Sequence, residues 1–295
     1  MVMSNLEELK NIITPPGTDV TLKADFELYK SSIFTCFGTL HKNEPNDPMF
    51  NLMKHTFEEY VLETKSDSRI LIIEAPYSKP KFKPTFEASV RSYYEMGGAS
   101  FLADEQQISI VSGSPTKGMI AEELNKQGYS RDDVAIYLIL SSLPTKSTAT
   151  TNIADVVHSS IRQCQASLMD GFSQAEVKII NGPNNTSERN PLLLSHSVSN
   201  INKRLLEIAN LKLFEEKSFK PLLSREDFDR IAYPPDKNSE NILKRIAFDY
   251  LHYADLFLLD VLIKQINNGK IPFVIFGMMH ILRLTPALNE LDQKS

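Results

Sequence analysis

A chain of 295 residues, 42% apolar and 23% charged, can bury a sizeable core as one large or two modest domains without disulfide or metal staples. Its net charge of −5 is mild and neither sign forms a long run, which argues against nucleic acid as a partner, because phosphate binding needs a clustered basic footprint. The two cysteines, Cys36 and Cys164, offer no disulfide framework, no apolar stretch is long enough for a membrane span, and residues 1–10 lack a signal-peptide pattern, so a reducing, cytoplasmic setting is expected.

In chain order, residues 4–13 read as a short amphipathic helix and 32–37 as the first core strand. Asp47 caps a helix whose first position is Pro48 and whose stripe runs Met49, Phe50, Met53, Phe57, Tyr60 and Val61. A second strand covers 69–74. A proline-stiffened loop at 75–80 leads to a helix over 85–95, which Gly97-Gly98 is expected to end. A short strand at 99–102, a turn at 104–107 and a strand at 108–111 follow, then the strand-to-helix turn Gly113-Ser114-Pro115-Thr116, which lacks the spacing of a phosphate-binding P-loop.

Ser130 opens an apolar helix over 134–140, residues 151–170 form another, and 176–180 is a strand followed by a loop at 181–185. Helices are expected at 191–213, from Ser224, and over 241–267, so that 185–268 reads as a helical insertion or lid before the last core strand. Pro272 starts that strand, and a helix from about Pro286 closes the chain. Strands and helices alternate at the interval of βαβ units. The expected fold is therefore a single α/β domain over 1–295, with a central, mainly parallel sheet flanked by helices.

Two copies of one pattern mark the ends of this plan. Phe37-Gly38-Thr39-Leu40-His41 and Phe276-Gly277-Met278-Met279-His280 each follow a β-branched and aromatic run, and each reads as a buried strand ending in a tight turn that presents an imidazole. With 11 glycines and six histidines, chance gives roughly 0.2 Gly-x-x-His matches, so two after matching strands exceed background. The strand at 69–74 ends instead in Glu74. Open α/β sheets place ligands at the carboxyl ends of strands, so His41, Glu74 and His280 are expected to meet at one sheet edge.

Such a set has three readings. As metal ligands, two histidines and a glutamate leave a position open for water. Without metal, one histidine deprotonates water while Glu74 fixes its tautomer. As plain structure, both rings cap strands and bond the backbone. No Gly-x-Ser-x-Gly elbow indicates a serine nucleophile. Arg91 could bind a substrate anion. Glu105 and His252, the latter beside Asp249 and Asp255 at helical spacing, complete the candidates for substrate binding. His55, His158 and His196 read as packed or surface residues.

These residues resemble the superfamily that joins erythromycin esterase-like enzymes, ChaN-like proteins and the TraB/TIKI group, in order from Phe37-Gly38-Thr39-Leu40-His41 through Ile73-Glu74 to Phe276-Gly277-Met278-Met279-His280. The resemblance implies an α/β core with a helical insertion and a hydrolase site at His41, Glu74 and His280. It implies metal-free, histidine-activated water in the esterase-like branch and a metal-dependent peptidase in the TIKI branch. Thr39 stands where the esterase-like branch carries an acidic residue. The expectation is a hydrolase acting on a small-molecule or peptide ester or amide, with water activated at His41 and the cofactor open between none and a divalent metal such as Mn, Co or Zn. The alternative is a catalytically inactive ligand- or partner-binding protein on the same scaffold.

Overall fold

The computed structural model describes residues 6–18, 26–75, 82–141, 203–207 and 225–294. The chain separates into two compact units, one of Met1–Pro115 with Ala254–Ser295 and the other of Thr116–Tyr253. The first unit holds a five-stranded sheet built from β1 (Phe26–Lys30), β2 (Thr35–Thr39), β3 (Arg69–Ile73), β4 (Ile110–Ser112) and β5 (Ile271–Gly277), in the order β1-β2-β5-β3-β4. β1 is antiparallel to β2, and every other pairing is parallel. The expected α/β class, with a mainly parallel sheet and helices around it, is what the chain forms.

Because the three central strands are covered on both faces, they read as continuous apolar runs rather than as alternating ones. Their side chains nevertheless sort by twos. Phe37, Leu71, Ile73, Phe273 and Ile275 pack against α2 (Pro48–Glu63) and α3 (Phe86–Glu105). Cys36, Ile72, Val274 and Phe276 pack against α1 (Leu6–Lys10), the end of the long helix that leads into β5, and the last helix, which begins at Met278. Asp47 caps α2 as expected, its Oδ1 accepting from the Met49 N–H at 3.0 Å. Cys36 is free and buried, and burial pushes its thiol up, which makes it inert.

The second unit packs α4 (Lys117–Lys126), α5 (Arg131–Leu140), residues 203–207, α6 (Arg225–Ala232) and the first part of α7 (Ile242–Asn267) around Tyr137, Phe228 and Leu243. Thr116 and Ser130 cap α4 and α5, accepting from Met119 N and Asp133 N at 3.2 Å each. The buried Asp133 is held by Arg204 at 2.8 and 3.0 Å. The boundaries expected for α6 and α7 agree with the structure. The loop at 75–80 lies outside the described residues from 76 on, as do the helix at 151–170 with His158, the strand at 176–180, His196, Cys164 and much of 185–268.

Three expectations are corrected. β1, an edge strand half-buried along most of its length, was not foreseen. The last helix, α8 (Met278–Gln293), starts directly at the end of β5 and carries Pro286 inside it, rather than beginning there. His280 therefore sits in a first helical turn, not in a loop.

The third correction concerns α3. It runs through Gly97-Gly98 and through 99–102, expected to be a strand, and it breaks earlier, at Tyr93 (φ −141, ψ 20) and Tyr94 (φ 58, ψ −152). A Cβ on Gly97 would lie 2.4 Å from the Ser89 carbonyl oxygen, and one on Gly98 would lie 2.9 Å from Val90 Cγ2. Residues eight apart on a straight helix are about 12 Å apart along its axis, so these glycines are the contact where the second half folds back on the first. They permit the bend instead of ending the helix.

Gly97→Ala is expected to lower stability by about 1–3 kcal/mol, as overpacking against fixed backbone does. Urea unfolding checks this; an unchanged midpoint would contradict the tight crossing.

Candidate functional site

The parallel arrangement places the carboxyl ends of β2, β5 and β3 side by side, with β5 in the middle. Each delivers one group. Glu74 follows β3 directly, Gly277 is the last residue of β5, and His41 lies two residues past β2 in a left-handed conformation with φ 53. Gly38 is not the turn residue. It sits inside β2, where the missing Cβ lets α8 approach, since a Cβ there would be 3.0 Å from Met278 Cα.

Gly277 is the floor on which the three side chains converge. A Cβ at this position would lie 3.0 Å from Glu74 Oε2, 3.2 Å from His41 Nε2 and 3.4 Å from His280 Cδ2. The backbone N–H of Gly277 donates to Glu74 Oε2 at 2.5 Å, which holds the carboxylate at the N-terminus of α8, where the helix dipole favours a negative charge. His41 Nε2 lies 3.7 Å from Glu74 Oε2 and His280 Nε2 lies 3.9 Å from Glu74 Oε1. Both separations exceed a hydrogen bond. A water or substrate oxygen about 2.8 Å from both partners fits over either gap.

Each ring is held from behind, through Nδ1, by a fully buried carboxylate. His41 Nδ1 meets Glu95 Oε1 at 2.6 Å, and His280 Nδ1 meets Asp255 Oδ1 at 2.5 Å. The two anchors differ in charge. Asp255 is shared with buried Arg283, whose Nε and Nη2 donate to its two oxygens at 2.6 and 3.1 Å. Glu95 has no such cation, and its Oε2 is buried with no partner among the described residues. Its charge is therefore matched by the His41 ring. The Glu95 hydrogen bond raises His41 from 6.5 to about 9, Glu74 adding to the effect against the cost of burial. His41 is thus an imidazolium at neutral pH, half exposed beside Glu74.

Of the residues singled out from sequence, the structure brings His41, Glu74 and His280 together. It does not bring Arg91 or Glu105 into this set. Arg91 is exposed on the first half of α3, Glu105 is exposed at its end, and neither takes part in the hydrogen bonds above. His252 belongs to the second unit, where its ring stacks near Phe248 at 6.4 Å. Asp255, noticed only as a neighbour of His252 in the sequence, is the partner of His280. Glu95 and Arg283 were missed. The i, i+3 spacing of His280 and Arg283 at the start of a helix was the available signal for the latter.

Two imidazoles and a carboxylate, with the rings oriented by buried carboxylates, are donor types that suit a transition metal. Their arrangement does not: among the described residues no group of three or more His, Cys, Asp or Glu is placed to hold a metal ion. Among the described residues, no helix is long and apolar enough to cross a membrane. No family model, curated protein or solved structure matches the chain.

A histidine raised by its folded environment adds stability that is complete below its unfolded value and is lost as pH rises through the folded one. The His41 ring proton is expected to titrate near about 9 by NMR, and Glu95→Gln should bring it back toward 6.5. The stability advantage of wild type over Glu95→Gln should shrink between those two values, as thermal melts across pH would show. An ordinary His41 titration in wild type would break the ion-pair assignment.

Proposed function

We propose that the chain is a hydrolase that cleaves an ester or amide bond with an acid and a base on opposite sides of Glu74. The observation that carries this reading is the convergence of His41 Nε2, Glu74 Oε2 and His280 Cδ2 over the bare Cα of Gly277, with both rings anchored through Nδ1. Oriented pairs of this kind serve general acid and base catalysis, each contributing typically 10²–10⁴-fold in rate. The order of strands also supports it, because ligands of open α/β sheets sit at this edge.

The charge state of His41 moves the base from His41, where the sequence alone put it, to His280. The contacts of His280 Nδ1 with Asp255 and Arg283 orient the ring, so that Nε2 faces Glu74 and is the atom that acts as the base. His280 Nε2 takes a proton from water as the oxygen attacks the carbonyl carbon. The bond to the leaving oxygen or nitrogen then breaks, and His41 Nε2–H protonates that group. The proton gained by His280 returns to His41 through Glu74 or solvent. The resemblance to the erythromycin esterase-like and TIKI superfamily is compatible with this chemistry and remains part of the proposal.

A panel of aryl and alkyl esters and anilides tests it. His41→Ala and His280→Ala should each lower kcat/KM by about 10²–10⁴-fold. Gly277→Ala, whose φ −55 and ψ 133 suit alanine, should stay folded yet lose turnover because its methyl group displaces Glu74 and His41. In wild type, kcat/KM should fall above about pH 9 as His41 loses its proton, and Glu95→Gln should move that limb to lower pH. Turnover that survives both histidine substitutions would overturn the assignment of this site, and none on any substrate would leave the ligand-binding reading in its place.

A further inference from the structure

Among the described residues, three that are not glycine adopt a positive φ: His41 at 53, Tyr94 at 58 and Gln107 at 54. Gln107 belongs to an ordinary helix end, with Gln107 N–H donating to Asp104 O at 3.0 Å and Ile108 N–H to Ala103 O at 2.8 Å. The other two mark the two sides of one ion pair: His41 supplies the ring, and the backbone bend at Tyr94 sets the direction of Glu95, which meets that ring at 2.6 Å. At φ 58 and ψ −152, Tyr94 holds a conformation essentially reserved for glycine, and Tyr93 before it is also non-helical. Such strain persists only where the surroundings impose it.

The contacts of Glu95 show what imposes it. Glu95 opens the second segment of α3 with a fully buried carboxylate, whose Oε1 meets His41 Nδ1 and whose Oε2 has no partner among the described residues. Among those residues His41 is the one cation that meets Glu95. The His41 ring is itself faced by Glu74 across 3.7 Å at the end of β3, and by His280 of α8 over Gly277. The first turn of the segment has little else to hold it. Tyr94 is 42% exposed, Met96 is only partly buried, and Gly97 and Gly98 bring no side chain to the crossing. Beyond that turn, Ala99 and Ala103 are fully buried in the core shared with α2 and the sheet, so packing fixes the rest. The closed form of residues 94–98 thus leans on the charge of His41.

We propose that the His41–Glu95 ion pair is a latch on a strained hinge at Tyr93-Tyr94, and that a His41 ring without its charge releases residues 94–98 and lets Glu95 reach water. Two forces drive the opening. A buried carboxylate with no matching charge is costly, and the hinge sheds its strain as it opens. A neutral ring still offers a hydrogen bond to Glu95, so the charge and not the bond operates the latch. The device does not depend on the hydrolase reading. Any chemistry that takes the proton of His41 operates it, and the support behind the ring yields when the ring gives up its charge.

Amide hydrogen exchange of the full chain at neutral pH tests this, with the strand Arg69–Ile73 as the gauge of global stability. His41→Gln keeps a hydrogen-bond donor and abolishes the charge. It should speed exchange over residues 94–98 by about tenfold or more while β3 stays protected. Glu95→Gln removes the buried charge, so that variant and the double variant should exchange near the wild-type rate. Equal acceleration in all three, the mark of a merely lost contact, overturns the latch, as does wild-type protection in His41→Gln. Should His41→Gln not fold, the natural ring is titrated instead. The chain has no tryptophan, so Tyr94→Trp supplies a single reporter at the hinge. Its quenching by acrylamide should rise as pH passes about 9 and stay level in a Glu95→Gln background. A level profile in both overturns the latch. Tyr94→Gly relieves the strain with the latch in place and should melt no lower than wild type; a clear loss of stability overturns the hinge.

Discussion

The carboxylate of Glu95 is fully buried, and such a charge is tolerated only when it is paired and hydrogen-bonded. Its pairing with His41 shapes several features at once. It requires α3 to break at Tyr93-Tyr94, so that Glu95 begins a new helical segment whose N-terminus also favours the negative charge. It requires Gly97 and Gly98 to let the two halves of α3 close on each other. It holds His41 past the end of β2 with φ 53, and it keeps the ring protonated at neutral pH. Removal of one partner from a buried pair typically costs about 3–5 kcal/mol, since the other charge is left uncompensated.

The sheet supplies the complementary constraint. With β5 between β2 and β3, three parallel strands end at one edge, and the central one ends in a residue without a Cβ. Glu74 uses the space, and the N–H, that Gly277 leaves. The asymmetry between the two rings follows from their second partners. Asp255 divides its charge between His280 and Arg283, whereas Glu95 spends its charge on His41 alone among the described residues. Two histidines in one chemical setting thereby acquire different surroundings, one beside a carboxylate with no other partner among the described residues and the other beside a carboxylate shared with a guanidinium.

Much of this is legible in the sequence. The apolar runs at 69–74 and from Pro272 announced buried parallel strands, and the polar groups after them announced the sheet edge. Gly-x-x-His found both histidines, although for a partly different reason: Gly38 makes room for a helix, and Gly277 makes room for side chains. Glu95 was illegible because Gly97-Gly98 reads locally as a helix end, whereas tertiary contact uses the same residues to pack two half-helices. Asp255 and Arg283 stood in the sequence as unremarkable helical charges, and their pairing with His280 depends on which face of α7 meets α8. Pro286 misled in the same way, because a proline reads as a helix start when nothing local shows that the helix began eight residues earlier.

His41 and His280 both face Glu74, their Nε2 atoms 3.7 and 3.9 Å from its two carboxylate oxygens. The most direct measurement follows the His280 ring proton by NMR while pH passes through the His41 titration near about 9. The expected result is an inflection in the His280 signal at the pH where His41 titrates, displaced together with it in Glu95→Gln and absent in His41→Ala. A His280 signal that stays flat through that range, with His41 titrating beside it, would contradict the account.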